Sequence, residues 1–286
     1  MVIICDSGST KADWRIIEAL APPVDIHTMG FNPVFHNEEL IITELNKAFG
    51  NKVNPAEVKE VFFYGAGCWD FSLKQIVNRA LKTVFPYAIT EVEHDLLAAA
   101  RATCFNEPGI ACILGTGSNS CSYDGKNVVD NITNLGYLVG DEGSGSFLGK
   151  ALIRAYFYRE MPRDLLEIFE TEYPGKKDEI LNGIYQNSAP NVYLASFAKF
   201  MSDNKKHFFI EKLVYEGFCE FVDRNVRKYA RHLHVPIHFI GSVAYHFSDL
   251  LSIVLEERRL IKGIIIKKPI DNLTKFHLNH FESKKY

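Results

Sequence analysis

A strand, a small-residue turn and two further strands occur twice in this chain in the same order, and that duplication restricts the fold more than any other feature. The first copy is the apolar run Val2–Asp6, the turn Ser7–Lys11, the returning run Ala12–Ile17 and, after the Pro22-Pro23 bend, Asp25–Met29. The second is Ile110–Leu114, the turn Gly115-Thr116-Gly117-Ser118-Asn119, Ser120–Tyr123, the Asp124-Gly125 turn and Val128–Ile132. Short apolar runs bounded by Gly, Pro, Asn and Asp read as strands joined into a meander.

Each meander gives way to helical spacing. Glu38–Phe49 places Leu40, Ile41, Ile42, Leu45 and Phe49 along one face. A buried-strand run, Val61–Tyr64, stops at Gly65-Ala66-Gly67. The helical pattern Phe71–Val84, the short strand Thr90–Glu93 and an Ala-rich helix, Leu96–Cys104 opened by Asp95, follow. Asn106-Glu107-Pro108-Gly109 divides the halves. After the second meander come a helix from Gly145 to Tyr158 and a largely helical insertion over Arg163–His234, about residues 160–235. A strand, Pro236–Ile240, leads to a helix, Tyr245–Arg259, with Phe247, Leu250, Leu251, Val254 and Leu255 inward. A last strand, Leu260–Ile266, precedes a helical tail. The pattern predicts an α/β protein of two related domains, residues 1–105 and 106–286, whose mixed sheets face each other across a cleft. Clefts between domains are favoured ligand sites.

The length of 286 residues suits two ordinary cores. With 47% hydrophobic and 23% charged residues, the composition is that of a globular chain. No apolar run is long enough to span a bilayer, and the start turns polar at Asp6 without the pattern of a signal peptide, so the cytoplasm is the expected location. Six cysteines without a C-x-x-C pair read as reduced, packed thiols. A net charge of −3 gives no footprint for nucleic acid, and the basic tail reads as solvated. The partner expected is a small molecule, with a homodimer as the assembly left open.

Four blocks carry the chemistry. In Asp6-Ser7-Gly8-Ser9-Thr10-Lys11, small residues let backbone N–H groups approach a phosphate, Ser7 and Thr10 add hydroxyls, and Asp6 at the strand end suits a hydrated Mg²⁺. The turn is equally an ordinary hairpin taken alone, and it is not a P-loop, since no G-x-x-x-x-G-K-[ST] is present. Gly115–Asn119 repeats its chemistry in the second half, and two such turns can hold a polyphosphate from both sides. Gly140-Asp141-Glu142-Gly143-Ser144-Gly145-Ser146 sets two carboxylates among glycines before a helix that Ser144 or Ser146 could cap. The glycines suggest close approach of a hydroxylated ligand. Gly241-Ser242-Val243-Ala244 would let a base or ribose lie on the backbone at a strand–helix turn.

In this order the blocks resemble the N-acetylglucosamine kinases of the BadF/BadG/BcrA/BcrD group, within the actin–hexokinase–Hsp70 ATPase superfamily. G-T-G-S-N followed by G-D-E-G-S is the most specific part, and the resemblance covers essentially the whole chain. It implies duplicated RNase H-like domains closing over ATP, Mg²⁺ and an amino sugar. Asp6–Thr10 resembles the first phosphate motif, Gly115–Asn119 the second and Gly241–Ala244 the adenosine motif. The resemblance further implies that Thr10 and Thr116 contact phosphates, that Ser7, Gly8, Ser9, Lys11, Gly115, Gly117, Gly241, Ser242 and Val243 line the ATP site, and that Asn32, Ser118, Asn119, Gly136 and Asp141 hold the sugar. Asp95 matches the catalytic base, with its helix N-terminus expected to keep it ionised. Its rival readings are a plain N-cap, and His94 as base. Leu135 stands where some relatives carry an aromatic residue, and Lys267-Lys268-Pro269 departs from the usual small-residue ending. The alternative within the group is an iron–sulfur ATPase that activates a dehydratase. Cys104, Cys112 and Cys121 lie close to the strands and phosphate turn, which speaks against a cluster bridging two subunits.

Overall fold

The computed structural model describes residues 1–8, 10–18, 21–175 and 177–283. Its contacts divide the chain into unit 1, Met1–Phe105 with Pro269–Tyr286, and unit 2, Asn106–Lys268.

Unit 1 is built on the strands β1 (Val2–Ser7), β2 (Lys11–Ile17), β3 (Val24–Met29), β4 (Glu60–Gly65) and β5 (Ile89–His94), in the order β3-β2-β1-β4-β5. β1, β2 and β3 pair antiparallel, whereas β4 and β5 run parallel to β1. Parallel neighbours need a crossover. These are helices α1 (Glu38–Phe49) and α2 (Phe71–Val84), and α3 (Asp95–Cys104) follows β5. Asn37 caps α1 by accepting from the Leu40 N–H, and Asp70 caps α2 by accepting from the Leu73 N–H, each at 3.0 Å. Of the residues expected on the inner face of α1, Ile41, Leu45 and Phe49 are buried. Leu40 is exposed instead, because it points about 100° away from Ile41, off the stripe formed by Ile41, Leu45 and Phe49.

An aromatic cluster fills the core. Trp14 meets Phe49 edge-on at 5.3 Å and Phe31 at 6.0 Å, and its indole N–H donates to Thr28 Oγ1 at 2.9 Å. Aromatic pairs of this kind contribute about 0.5–1.5 kcal/mol each beyond their burial. Phe31 is thereby fixed, and with it the loop that carries Asn32.

Unit 2 repeats the plan. Its strands β6 (Gly109–Leu114), β7 (Ser118–Tyr123), β8 (Val128–Asp130), β9 (Ile237–Ile240) and β10 (Lys262–Ile266) lie in the order β10-β9-β6-β7-β8, the same topology read from the other edge. β9 and β10 are parallel to β6, and β7 and β8 continue the antiparallel meander. Between β8 and β9 come a short helix, α4 (Gly136–Val139), which the sequence pattern did not predict, and α5 (Gly145–Phe157). The insertion follows as α6 (Arg163–Glu172), α7 (Lys177–Tyr185), α8 (Pro190–Ser196), α9 (Ala198–Asp203) and α10 (Phe208–Arg224). The helix predicted over Tyr245–Arg259 is two, α11 (Ser242–His246) and α12 (Ser248–Glu257). Phe247 breaks it by entering the core at a non-helical ψ of 28°.

The last helix, α13 (Ile270–Ser283), corrects the expected boundary: the second domain is expected to run to residue 286, but residues 269–283 pack with the first. By topology α13 follows β10 as α3 follows β5, yet it lies against α3 and β1. The Tyr64 hydroxyl bonds His277 Nε2 at 2.9 Å, His277 stacks on Phe62 at 3.9 Å, and Asn272 donates to the Ala102 carbonyl at 2.9 Å. Asp271 adds a 2.5 Å contact with Arg15. No helix among the described residues is long and apolar enough to cross a membrane.

Candidate active site

Three parallel strands of unit 1 end at one level, since Ser7 of β1 pairs with Gly65 of β4, which pairs with His94 of β5. Ligands of open α/β sheets gather beyond such carboxyl ends. Asp95 is the next residue. It is the first residue of α3 and not its cap: His94 caps the helix, its Nδ1 accepting from the Leu97 N–H at 3.2 Å. The plain N-cap reading of Asp95 therefore fails. Asp95 Oδ1 accepts from the Leu96 N–H at 2.9 Å, but burial outweighs that bond and pushes the carboxyl up to about 6. The helix N-terminus does not dominate as expected, because desolvation outweighs the backbone N–H groups of Leu96 and Asp95. His94 is pushed the other way, down to about 4, also by burial, which makes it a poor base.

Asn32 reaches the same strand end by a chain of local causes. Ser7 Oγ accepts from the Phe31 N–H at 2.8 Å, so this hydroxyl ties the loop to β1 and is not free for a phosphate. Asn32 Oδ1 accepts from the Val34 N–H at 3.0 Å and lies against Gly67, where a Cβ would come within 2.2 Å of that oxygen. Gly67 also has φ +81°, so no other residue fits here. Thr10 and Lys11 are exposed at the β1–β2 turn, closed by a 3.0 Å bond from the Gly8 N–H to the Lys11 carbonyl. Ser9 lies outside the described residues.

Asp6 is half-buried, directly opposite Asp13 across the β1–β2 ladder, and Asp13 meets His27 Nδ1 at 2.9 Å. Facing carboxylates repel unless a cation relieves them. Oxygen donors of this kind suit Mg²⁺, which keeps most of its water and takes phosphate oxygens. No group of three or more His, Cys, Asp or Glu among the described residues is arranged to hold a metal ion, so there is no all-protein cage.

In unit 2 the blocks read from the sequence come together at the end of β6. The Gly145 and Ser146 N–H groups donate to the Gly115 and Thr116 carbonyls at 2.8 and 3.0 Å. Gly241 (φ +126°) lies so close that a Cβ would stand 2.2 Å from the Leu114 carbonyl. Asp141 is buried, with φ 60°, and its Oδ1 accepts from the Ser118 N–H at 2.9 Å. Its carboxyl is raised, mainly by burial. Open space surrounds Gly115 and Gly136. By contrast, a Cβ on Gly143 would press on Phe221 and one on Gly145 on Ala195, so those two glycines answer to packing and not to a ligand. Ser144 caps α5, accepting from the Phe147 N–H at 3.3 Å.

Two features escaped the sequence reading. Asn134 donates to the Ser118 carbonyl at 2.7 Å and accepts from the Gly136 N–H at 2.6 Å, joining two of the proposed sugar residues; a lone Asn in a loop gives no signal of this. Asn119 Oδ1 is itself held by the Ser120 N–H and Asn131 at 2.9 and 3.1 Å. The second feature is a cavity of about 460 Å³, within the usual range for small-molecule sites. Ser242 and Val243 line it, and so do Ala195, Lys199, Ser202 and Asp203 from the insertion, whose ordinary amphipathic spacing hides them.

No family model and no curated protein matches the chain. Solved structures do. A candidate N-acetylglucosamine kinase from Porphyromonas gingivalis is 39% identical over 98% of this chain and 99% of that one, with a TM-score of 0.91. A second candidate N-acetylglucosamine kinase, from Chromobacterium violaceum, shares the fold at 16% identity and a TM-score of 0.69, over 96% and 98% of the two chains. Component A of (R)-2-hydroxyglutaryl-CoA dehydratase from Acidaminococcus fermentans follows at 13% identity and 0.50, over 95% and 93%. Twin RNase H-like sheets with small-residue turns at the ends of β1 and β6 give the actin-like ATPase fold, and the 39% identical relative makes this chain a sugar phosphotransferase acting on an alcohol acceptor. Within that class the chain belongs to the N-acetylglucosamine kinase family.

Proposed function

We propose that this kinase transfers the γ-phosphoryl group of ATP to a hydroxyl of N-acetylglucosamine or a close relative such as N-acetylmuramic acid. The observation that carries the proposal is Asp95, a desolvated carboxyl raised to about 6 at the strand end that also presents Asn32. A base works best with a pKa near the working pH, and at pH 7 about nine-tenths of such a group is ionised.

In this reading Asp95 takes the proton of the acceptor hydroxyl as its oxygen bonds to the γ-phosphorus. The bond from that phosphorus to the β–γ bridging oxygen breaks, and ADP leaves with the electron pair. Phosphoryl transfer of this kind asks for positioning and charge neutralisation more than for covalent help. Thr10 and the Gly8–Lys11 backbone from unit 1, and Gly115, Thr116 and Gly117 from unit 2, are assigned to the phosphates. Gly241, Ser242 and Val243 with the 460 Å³ cavity are assigned to the nucleoside. Ser118, Asn119, Gly136 and Asp141 join Asn32 as sugar residues, and Ser7 is assigned to holding the Asn32 loop. Asp6 would hold hydrated Mg²⁺, which supplies positive charge beside the β- and γ-phosphates.

The activator reading is disfavoured by the thiols. Cys104, Cys112 and Cys121 are all buried thiols, so none is presented to bind a cluster. ADP release measured over a panel of N-acetylated hexoses, with the product mapped, tests the proposal. One or more of these sugars is expected to raise the rate above the sugar-free control; a flat panel would sink the reading.

A further inference from the structure

Trp69 is 46% exposed, yet the loop that carries it is held at several points. The Ala66 N–H donates to the Ser7 carbonyl at 3.0 Å, the Cys68 side chain is fully buried, Gly67 touches Asn32, and Asp70 caps α2. An apolar residue just before a helix cap often closes a staple onto the fourth helical residue. Here that residue is Lys74, whose ammonium is bound to Glu93 at 2.6 Å, so no staple forms. The indole lies flat on His94 instead, with ring centroids 4.4 Å apart and planes inclined by 14°. The His94 ring is itself fixed by its bond from the Leu97 N–H, and burial keeps it uncharged at neutral pH. One indole face is thus covered by His94, while the residue as a whole stays 46% exposed.

We propose that Trp69 is a stacking platform for the acceptor hexosamine, backed by His94 and carried at the strand end that also holds Asn32 and Asp95. The inference rests on the sugar-kinase reading and adds the residue that holds the apolar C–H face of the pyranose ring. Sugar hydroxyls exchange water for protein partners with small net gain. A rigid aromatic ring adds contact area at low entropic cost. His94 acts through Trp69 and is a positioning residue.

The chain has two tryptophans, and Trp14 is fully buried, so a sugar-dependent change in indole emission reports on Trp69. Saturating N-acetylglucosamine is expected to change the emission of the wild-type protein and to leave that of Trp69→Phe unchanged. Trp69→Ala should raise the KM for sugar about ten-fold or more, with kcat and the KM for ATP within about two-fold. Trp69→Phe, which keeps a ring, should recover most of the loss, and His94→Asn, which keeps a capping acceptor, should raise the sugar KM about three-fold. A sugar KM within two-fold of wild type for Trp69→Ala, or emission that ignores a sugar the enzyme phosphorylates, would overturn the platform and leave the kinase standing. Emission that responds to a hexosamine without phosphorylation would leave the platform and remove the kinase; silence in both would remove both. Should Trp69→Ala fail to fold, the wild-type and Trp69→Phe titrations decide alone.

Discussion

Units 1 and 2 share one strand order and one placement of the small-residue turn, but they cover their sheets differently. Unit 1 connects its parallel strands by single helices and offers, at the ends of β1, β4 and β5, a short loop at Asn32, a glycine turn at Gly67 and a desolvated carboxyl at Asp95. Unit 2 has the long insertion between β8 and β9, and two of its helices wall a cavity beside Ser242. The repeated sheet sets where a ligand can lie, and the connections decide what it meets. On the proposed reading unit 1 carries the base and Asn32, and unit 2 the remaining sugar residues and most of the nucleoside.

The sharpest break in that division is Asp95→Asn. The amide can still accept from the Leu96 N–H, so the helix start is preserved while the base is removed. We expect kcat to fall by about 10²–10⁴-fold with ATP binding retained, as for loss of a general base. In the wild type, kcat should rise with pH through about 6, because the carboxyl must lose its proton to act. Turnover of the variant within a few-fold of wild type would remove Asp95 from the mechanism.

Phe31→Ala tests whether the acceptor side depends on the unit 1 core. Phe31 is fully buried against Trp14 and stacks on Phe63. Truncation of such a ring costs about 3–5 kcal/mol, read as a lower melting temperature. The sugar KM should rise more than the ATP KM, since Asn32 is the next residue. A smaller effect is expected in unit 2. Ser242→Trp, at an exposed position lining the cavity, should raise the ATP KM about ten-fold and leave the sugar KM unchanged. Equal shifts in both constants would dissolve the division between units.

The sheets were legible in the sequence because strand runs and glycine turns are local signals, and their duplication doubled them. The boundary at residue 269 was not. What places α13 on unit 1 is His277 against Phe62 and Tyr64, and Asn272 on Ala102, contacts across more than a hundred residues that no local pattern encodes. At the site, the residue types were readable but their electrostatics were not. A dipole argument lowers the Asp95 pKa, and only burial, a tertiary property, turns the shift upward while leaving the group mostly ionised at pH 7. The role of glycines was likewise ambiguous: Gly115 and Gly136 face open space, whereas Gly143 and Gly145 face Phe221 and Ala195.

The smallest effect expected is on stability, and its sign is opposite to the usual carboxylate. The Asp95 carboxyl is raised from 3.8 to about 6 on folding, so between those values the native protein holds more protons than the unfolded chain. Stability contributed through this group is therefore highest at low pH and is lost as pH rises towards 6. The full shift corresponds to at most about 3 kcal/mol, and because Asp95 as a residue is only half-buried, solvent screening reduces it to about 1–2 kcal/mol. Asp95→Asn should accordingly be more stable than wild type by that amount at pH 7.5 and nearly equal to it at pH 4, as measured by denaturant unfolding at the two values. Asp141→Asn offers the control within unit 2. Its carboxyl is also raised by burial, but its bond from the Ser118 N–H and its left-handed backbone tie it to local structure. A gain at pH 7.5 in the Asp95 variant that matches the gain at pH 4 would mean that burial of charge at this strand end is not what sets the base.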